Sequence, residues 1–101
     1  MNRAINLLTN EGASITGGAK DMLDAPGTIQ AAVTGTGAVA ATVEVEVLNI
    51  DGHWLPLGTI TLSGTTSATG GFAYGARSLL VRARLTSISG SGAAVTCVMA
   101  S

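Results

Sequence analysis

The feature that most constrains the fold is an alternation of apolar and polar residues with a period of two, which begins at Gly27. This period is typical of β-strands with one buried and one exposed face. Glycine-containing turn signals interrupt the alternation at short intervals. The sequence therefore predicts antiparallel β-strands joined by turns.

Two of these turns predict a strand register. If the Gly-Thr-Gly at residues 35–37 is a three-residue hairpin loop, Thr34 lies opposite Ala38 and Ile29 opposite Val43. Each odd-numbered residue then lies opposite another apolar one, so one face of the hairpin is apolar throughout.

The Asp-Gly at residues 51–52 favours a two-residue hairpin turn, with Ile50 opposite His53. Counting back from this turn places Val43 opposite Ile60. Both turns thus select the same inward face of the central strand. The residues predicted to be buried together are Val39, Ala41, Val43, Val45, Val47, Ile60, Leu62, Val81, Ala83 and Leu85.

Residues 54–57 are predicted to be an irregular or edge stretch, because Pro56 cannot donate a hydrogen bond to a ladder and is confined to sheet edges and bulges. Residues 63–71 lack large apolar side chains and are rich in glycine and hydroxyl groups, which predicts a long surface loop. This loop would join two halves of the domain.

A second glycine loop at residues 90–92 leads into the last strand. A three-residue loop places Leu85 opposite Cys97 and turns Val95 and Met99 inward with it. A loop of two or four residues would turn the alternate set inward, so both orientations stay open.

About six such strands predict an all-β fold, an antiparallel β-sandwich of the jelly-roll or immunoglobulin-like kind, with a small closed barrel as the alternative. Residues 1–26 lack the alternation and are predicted to be an N-terminal arm or edge segment. Residues 19–23 could form one helical turn within it. The sandwich domain is predicted to span residues 27–101.

The chain has 101 residues, of which 47% are hydrophobic and only 11% charged. A free monomer of this size normally has about a quarter to a third of ionisable residues on its surface, so we expect much of this surface to contact other protein. The five basic residues are scattered and the net charge is −1, which argues against nucleic-acid binding. No apolar stretch is long enough to span a membrane as a helix or to form a signal-peptide core.

The residues that carry catalytic or metal chemistry are few. His53 is the only histidine, and it lies beside a predicted exposed turn, where a catalytic triad would not be held in place. Asp21 and Asp24 lack the spacing of a calcium loop. Cys97 has no disulfide partner and lies in an apolar run, which predicts a buried thiol. We therefore expect no enzyme activity, no metal and no cofactor.

Eight residues are candidates for an interface. Two carboxylates and two arginines share the outer faces of two strands, where they are either solvated or form ion pairs across a subunit boundary. Trp54 is either a cap on the sandwich edge or a binding anchor. Three apolar side chains precede the sandwich, and we expect them to pack against a neighbouring subunit. The candidates are Ile5, Leu7, Leu8, Glu44, Glu46, Trp54, Arg82 and Arg84.

Five segments between residues 38 and 99 resemble the small all-β virion proteins of tailed bacteriophages. They are Trp-Leu-Pro-Leu-Gly at 54–58, Thr-Ile-Thr-Leu at 59–62, Phe-Ala-Tyr at 72–74, Leu-Val-Arg-Ala at 80–83, and Ile-Ser-Gly-Ser-Gly-Ala at 88–93. The resemblance implies a non-enzymatic virion protein made in the host cytoplasm. The first expectation is a capsid cement or decoration protein that contacts itself as a homo-oligomer and the major capsid protein or other virion proteins. A tail or neck component is the alternative within this setting. A carbohydrate-binding sandwich is the alternative from another class, although only three aromatic residues are present.

Overall fold

The structure of the chain, a computed structural model, describes residues 4–21, 23, 26–48, 51–75 and 80–101. Its six strands are all antiparallel, and the described residues contain no helix. This confirms the predicted all-β antiparallel fold. The strands are β1 (Ala4–Glu11), β2 (Ile15–Thr16), β3 (Lys20–Asp21), β4 (Gly27–Leu48), β5 (Trp54–Tyr74) and β6 (Leu80–Ala100).

The strands form one sheet in the order β1-β6-β4-β5, and the two short strands β2 and β3 also pair with β6. The long strands β4, β5 and β6 have 22, 21 and 21 residues. A straight strand of this length would extend about 70 Å. The molecule measures only 41 × 29 × 17 Å along its principal axes, so the long strands must bend.

Each long strand bends near its middle, where a residue has a positive φ angle. These residues are Gly37 in β4, Thr66 in β5, and Gly90 and Gly92 in β6. The sheet thereby folds over into two layers with the same strand order. Layer one contains β1 and residues 27–34, 67–74 and 93–100; layer two contains β2, β3 and residues 38–48, 54–65 and 80–89.

The two layers face each other across the core. A Cβ atom placed on Gly70 of layer one would lie 3.2 Å from the Leu62 side chain of layer two, although eight positions along a straight strand would separate these residues by about 26 Å. Alternate side chains from both layers fill the space between them, and no polar or charged residue among those described is buried. Burial of this apolar surface is the main force that stabilises the fold.

All ten residues predicted to be buried together are in the core, with at most 8% of their surface exposed. The inward orientation of Val95, Cys97 and Met99 is also confirmed, since each is 0% exposed. The register counted from residues 51–52 is confirmed for Val43 with Ile60. It changes next to Pro56, where Leu48 pairs with Trp54 instead of Leu55. Ile50 lies outside the described residues.

Three predicted loops are wrong. Residues 35–37, 63–71 and 90–92 are not connections between separate strands but lie within β4, β5 and β6. Leu85 accordingly pairs with Val43 rather than with Cys97. The inward face was nevertheless predicted correctly, because a strand that folds over the core keeps its alternate side chains on the inside, as a hairpin would.

The N-terminal segment agrees with its prediction as an edge segment but differs from it in two details. Lys20 and Asp21 form a short strand, so the predicted helical turn at residues 19–23 is wrong where the chain is described. β1 is an edge strand paired with β6. Leu7 and Leu8, at 4% and 2% exposure, lie in the chain's own core rather than on a free arm.

Candidate functional site

The four charged candidates lie together on the outer face of layer two. The β4 and β6 register places Glu44 directly beside Arg84 and Glu46 beside Arg82. Opposite charges on directly paired residues of neighbouring strands attract each other and favour this register. The sequence predicted two comparable faces, and the structure joins them into one.

The two pairs differ in strength. The Arg82 Nε atom donates a 2.9 Å hydrogen bond to Glu46 Oε1, and these side chains are 26% and 15% exposed. Arg84 lies 3.4 Å from Glu44 and 3.6 Å from Glu46, and its side chain is 40% exposed. Because water screens exposed pairs, the Arg82–Glu46 pair contributes more to stability than the pairs of Arg84.

Trp54 belongs to the same face. The guanidinium carbon of Arg82 lies 4.1 Å from the centroid of the half-buried Trp54 ring, a cation–π contact. Arg82 therefore links Trp54 on β5 to Glu46 on β4. The ion pairs form within one chain, so they do not depend on a subunit boundary. Whether this face also contacts another protein remains a prediction.

The outer face of layer one is chemically different. The outward side chains of its β4, β5 and β6 sections carry no charge, and most are small. A shallow concavity of about 690 Å³ lies here. The side chains that line it from outside the core are Thr28, Gln30, Ala32, Thr69, Ala73, Thr96 and Val98. The period-two pattern contained the signal for this face, since the even-numbered positions of residues 28–34 are all uncharged.

The two borders of the sheet also differ. β5 pairs only with β4 among the described strands, so it forms one border along its whole length. No residue of β5 is charged. The other border consists of β1, β2 and β3, which have 8, 2 and 2 residues.

The N-terminal candidates are held by the sheet. Leu8 pairs with Cys97 and Ile5 with Met99, both on β6. Ile5 is partly buried against the core. Farther along, the Gly17 amide donates a 2.8 Å hydrogen bond to the Ala83 carbonyl, which fixes this segment to layer two.

Cys97 lies in the core with 0% exposure, as predicted. Burial raises the pKa of its thiol from 9.0 to about 12, because the thiolate would lose its hydration. Such a thiol is unreactive at neutral pH. Asp51 and His53 are exposed beside the turn, and Asp24 lies outside the described residues.

Among the residues that the structure describes, no three side chains of His, Cys, Asp or Glu are grouped to hold a metal ion. No helix in this part of the chain is long and apolar enough to cross a membrane.

No protein-family model and no curated protein matches the sequence. Solved structures with a similar fold exist. One is the SPBc2 prophage-derived protein YomS, with a TM-score of 0.60 and 9% identity; the match covers 100% of this chain and 94% of YomS. Another is a structure of infectious bursal disease virus, Gx strain, with a TM-score of 0.56 and 12% identity; the match covers 99% of this chain and 31% of the viral chain. At these identities the likeness shows a shared fold.

Proposed function

We propose that this chain is a non-enzymatic structural protein of a bacteriophage particle, and specifically a capsid cement protein. The observation that carries the proposal is the match to YomS, which extends over nearly the full length of both chains and comes from a prophage. A chain in a virus structure shares the same fold. The sequence resemblance to phage virion proteins points the same way.

The surface of the molecule supports a role in protein contacts. The β4, β5 and β6 sections of layer one have an uncharged outer face, so protein can cover this face without burying an unpaired charge, which would cost several kcal/mol. On layer two the charged side chains of β4 and β6 already have partners within the chain. We therefore assign layer one to contact with the shell and layer two to the outside.

The mechanism is mass action. A protein that binds the assembled shell but not its free subunits stabilises the shell by its binding free energy. A copy that contacts two shell subunits at once would oppose their separation. No bond is made or broken in this process, so it needs neither a catalytic group nor a cofactor.

The test is to locate the chain in purified particles. Heads and tails are separated by density-gradient centrifugation, and the chain is quantified in each by mass spectrometry. We expect it in heads, in many copies. Finding it in tails would make it a tail or neck component, and its absence from both would refute the proposal.

A pair of matched variants tests the assigned face. Ala32 and Ala40 are both half-buried alanines on outward positions of β4, the first in layer one and the second in layer two. We expect Ala32→Glu to lower retention on heads about tenfold or more, because it places an unpaired carboxylate in the contact. Ala40→Glu should change retention less than twofold. Equal effects would contradict the assignment.

A further inference from the structure

The border formed by β5 has few of the features that keep sheet edges apart. β5 has 21 residues without a charge, and beyond it no strand is paired among the described residues. An edge strand presents backbone N–H and C=O groups that can pair with another strand. Natural proteins usually protect such edges with charged side chains, short strands or bulges.

One section of this border is regular. The register shift next to Pro56 interrupts β5 at one end, and the positive φ of Thr66 bends it at the other. Residues 58–64 lie between these points in an unbroken register with β4. This length equals or exceeds that of a usual β-strand, so it suffices for one more strand to pair.

We propose that residues 58–64 of β5 pair antiparallel with the same residues of a second copy of this chain, about a two-fold axis at Thr61. This joins layer two of both copies into one continuous sheet. The inference deepens the proposed function by naming the contact between copies, and it rests on that function only for its biological setting.

The side chains fit this register. A two-fold axis at Thr61 places Thr61 opposite Thr61 and Thr59 opposite Ser63 on the outer face, where all three are exposed. Threonine and serine pairs across strands are favourable. On the inner face Ile60 lies opposite Leu62, and both belong to the core. The apolar layer thus continues from one copy into the next.

Two observations indicate that the partner of β5 is the same strand of a second copy: β5 has no charge, and the other border has no long regular strand. Because β5 is uncharged, it meets its own copy without repulsion. The opposite border cannot supply an extended partner strand, since β1 has two register shifts and β2 and β3 have two residues each. A two-fold pairing of β5 with β5 also closes, whereas head-to-tail pairing would continue into a filament.

A strand pair of this length makes a small interface, so we expect weak association in solution and strong association on a particle, where copies are concentrated. A covalent trap detects such contacts. Opposed residues of antiparallel strands have Cα atoms about 4.5 to 5.5 Å apart, which is within the range of a disulfide. Native Cys97 is fully buried and does not compete.

The experiment compares three single cysteine variants of the full chain under mild oxidation. Thr61→Cys meets its own copy and should form a covalent dimer in high yield. Thr59→Cys is on the same strand and face, but about 13 Å from its copy in this register, so its rate should be at least tenfold lower. Thr9→Cys, exposed on the other border, should behave like Thr59→Cys.

The double variant Thr59→Cys with Ser63→Cys restores an opposed pair and should cross-link again. Equal rates for Thr59→Cys and Thr61→Cys, or fastest cross-linking at Thr9, would overturn the proposal. In particles that carry the Thr61→Cys variant, a cross-link that forms only to a different virion protein would also overturn it.

Charge gives an independent readout. Thr61→Lys places two ammonium groups opposite each other and should weaken self-association about fivefold in sedimentation equilibrium. The lysine of Thr59→Lys would lie opposite Ser63 of the second copy, so this variant should change self-association less than twofold. Equal loss from both would contradict the register. The cross-linking and sedimentation measurements on purified protein do not depend on where the chain lies in the particle. If they fail, the proposed location in heads still stands, and if the chain is absent from heads, the proposed pairing of copies still stands.

Discussion

The two borders of the sheet are built in opposite ways. The border made by β1, β2 and β3 is broken into short pieces, includes two register shifts, and carries Glu11, Lys20 and Asp21. The border made by β5 is one strand of 21 uncharged residues. Charged side chains and short strands, two of the devices that protect edge strands, thus occur on one side only, and β5 has a proline and a register shift only near its start. The difference teaches that the first border, the closed border, is protected against strand addition along its length, whereas the second, the open border, lacks such protection at residues 58–64.

The closed border is also held to the rest of the molecule by side chains in the core. Leu7 and Leu8 are buried between the layers, whereas β5 contributes Ile60, Leu62 and Tyr74 to the core but keeps its outer edge unpaired among the described strands. Changes to the buried side chains of the closed border should therefore alter stability, and changes to the exposed side chains of residues 58–64 on the open border should alter association.

The largest expected effect is at Leu8. Replacement by alanine removes a side chain that is 2% exposed and should lower the free energy of unfolding by about 2 to 5 kcal/mol. Thr9→Ala, on the exposed neighbour, should change it by less than about 0.5 kcal/mol. Denaturant unfolding measures both. Unchanged stability with weaker association would show that β1 is a detachable arm.

The thiol of Cys97 reports on the same border, because Cys97 pairs with Leu8. Its folded pKa of about 12 exceeds the ordinary 9.0, so the folded chain keeps a proton that the unfolded chain loses. The contribution of the protonated thiol to the free energy of unfolding is therefore fully present below pH 9. It falls as the pH rises toward 12, by up to about 1.4 kcal/mol per pH unit.

Unfolding curves between pH 8 and 11 measure this loss, and Cys97→Ala is the control that should lack it. Parallel pH profiles for the two proteins would contradict the burial of the thiol. Leu8→Ala should also speed the reaction of Cys97 with alkylating reagents.

A smaller effect on stability is expected for the arginines of β6, which lies between the two borders of the sheet. Arg82→Ala removes the 2.9 Å hydrogen bond to Glu46 and the contact with Trp54, and should cost about 1 to 2 kcal/mol. Arg84→Ala removes more exposed and longer contacts and should cost about 0.5 kcal/mol or less. Thermal unfolding distinguishes them. A larger loss for Arg84 would reverse the assigned order of the two pairs.

The smallest effect compares one backbone position on each border. Asn10 on β1 and Thr66 on β5 both have a positive φ, of 50° and 62°. Asparagine tolerates this conformation, whereas a β-branched residue is strained in it. Thr66→Gly should therefore raise stability by about 1 kcal/mol, and Asn10→Gly should change it by a few tenths at most. Destabilisation by Thr66→Gly would show that the strain is absent.

The core could be predicted from the sequence because the period of two depends only on neighbouring residues. Val43 points inward whether its strand ends in a hairpin or bends across the core. The bends could not be recognised, because the same Gly-Thr-Gly chemistry at residues 35–37 suits a tight turn and a fold in a long strand. Only the pairing of both halves of β4 with the same two neighbours distinguishes them, and that pairing is long-range.

The candidate site was predicted in part. Alternation placed Glu44 and Glu46 on one outer face and Arg82 and Arg84 on another, but their direct pairing required knowing that β4 lies beside β6. The open border was missed for a related reason. Residues 63–71 lack large side chains, which predicted a loop, although small hydroxylated residues also suit the exposed edge of a sheet.

The most direct test of this account is a cryo-electron microscopy reconstruction of purified phage heads, at a resolution that separates strands. The account predicts copies on the outside of the shell, with layer one against it and the β5 borders of neighbouring copies in contact at Thr61. A shell without this protein, or copies whose β5 borders face solvent while β1 borders meet, would contradict it.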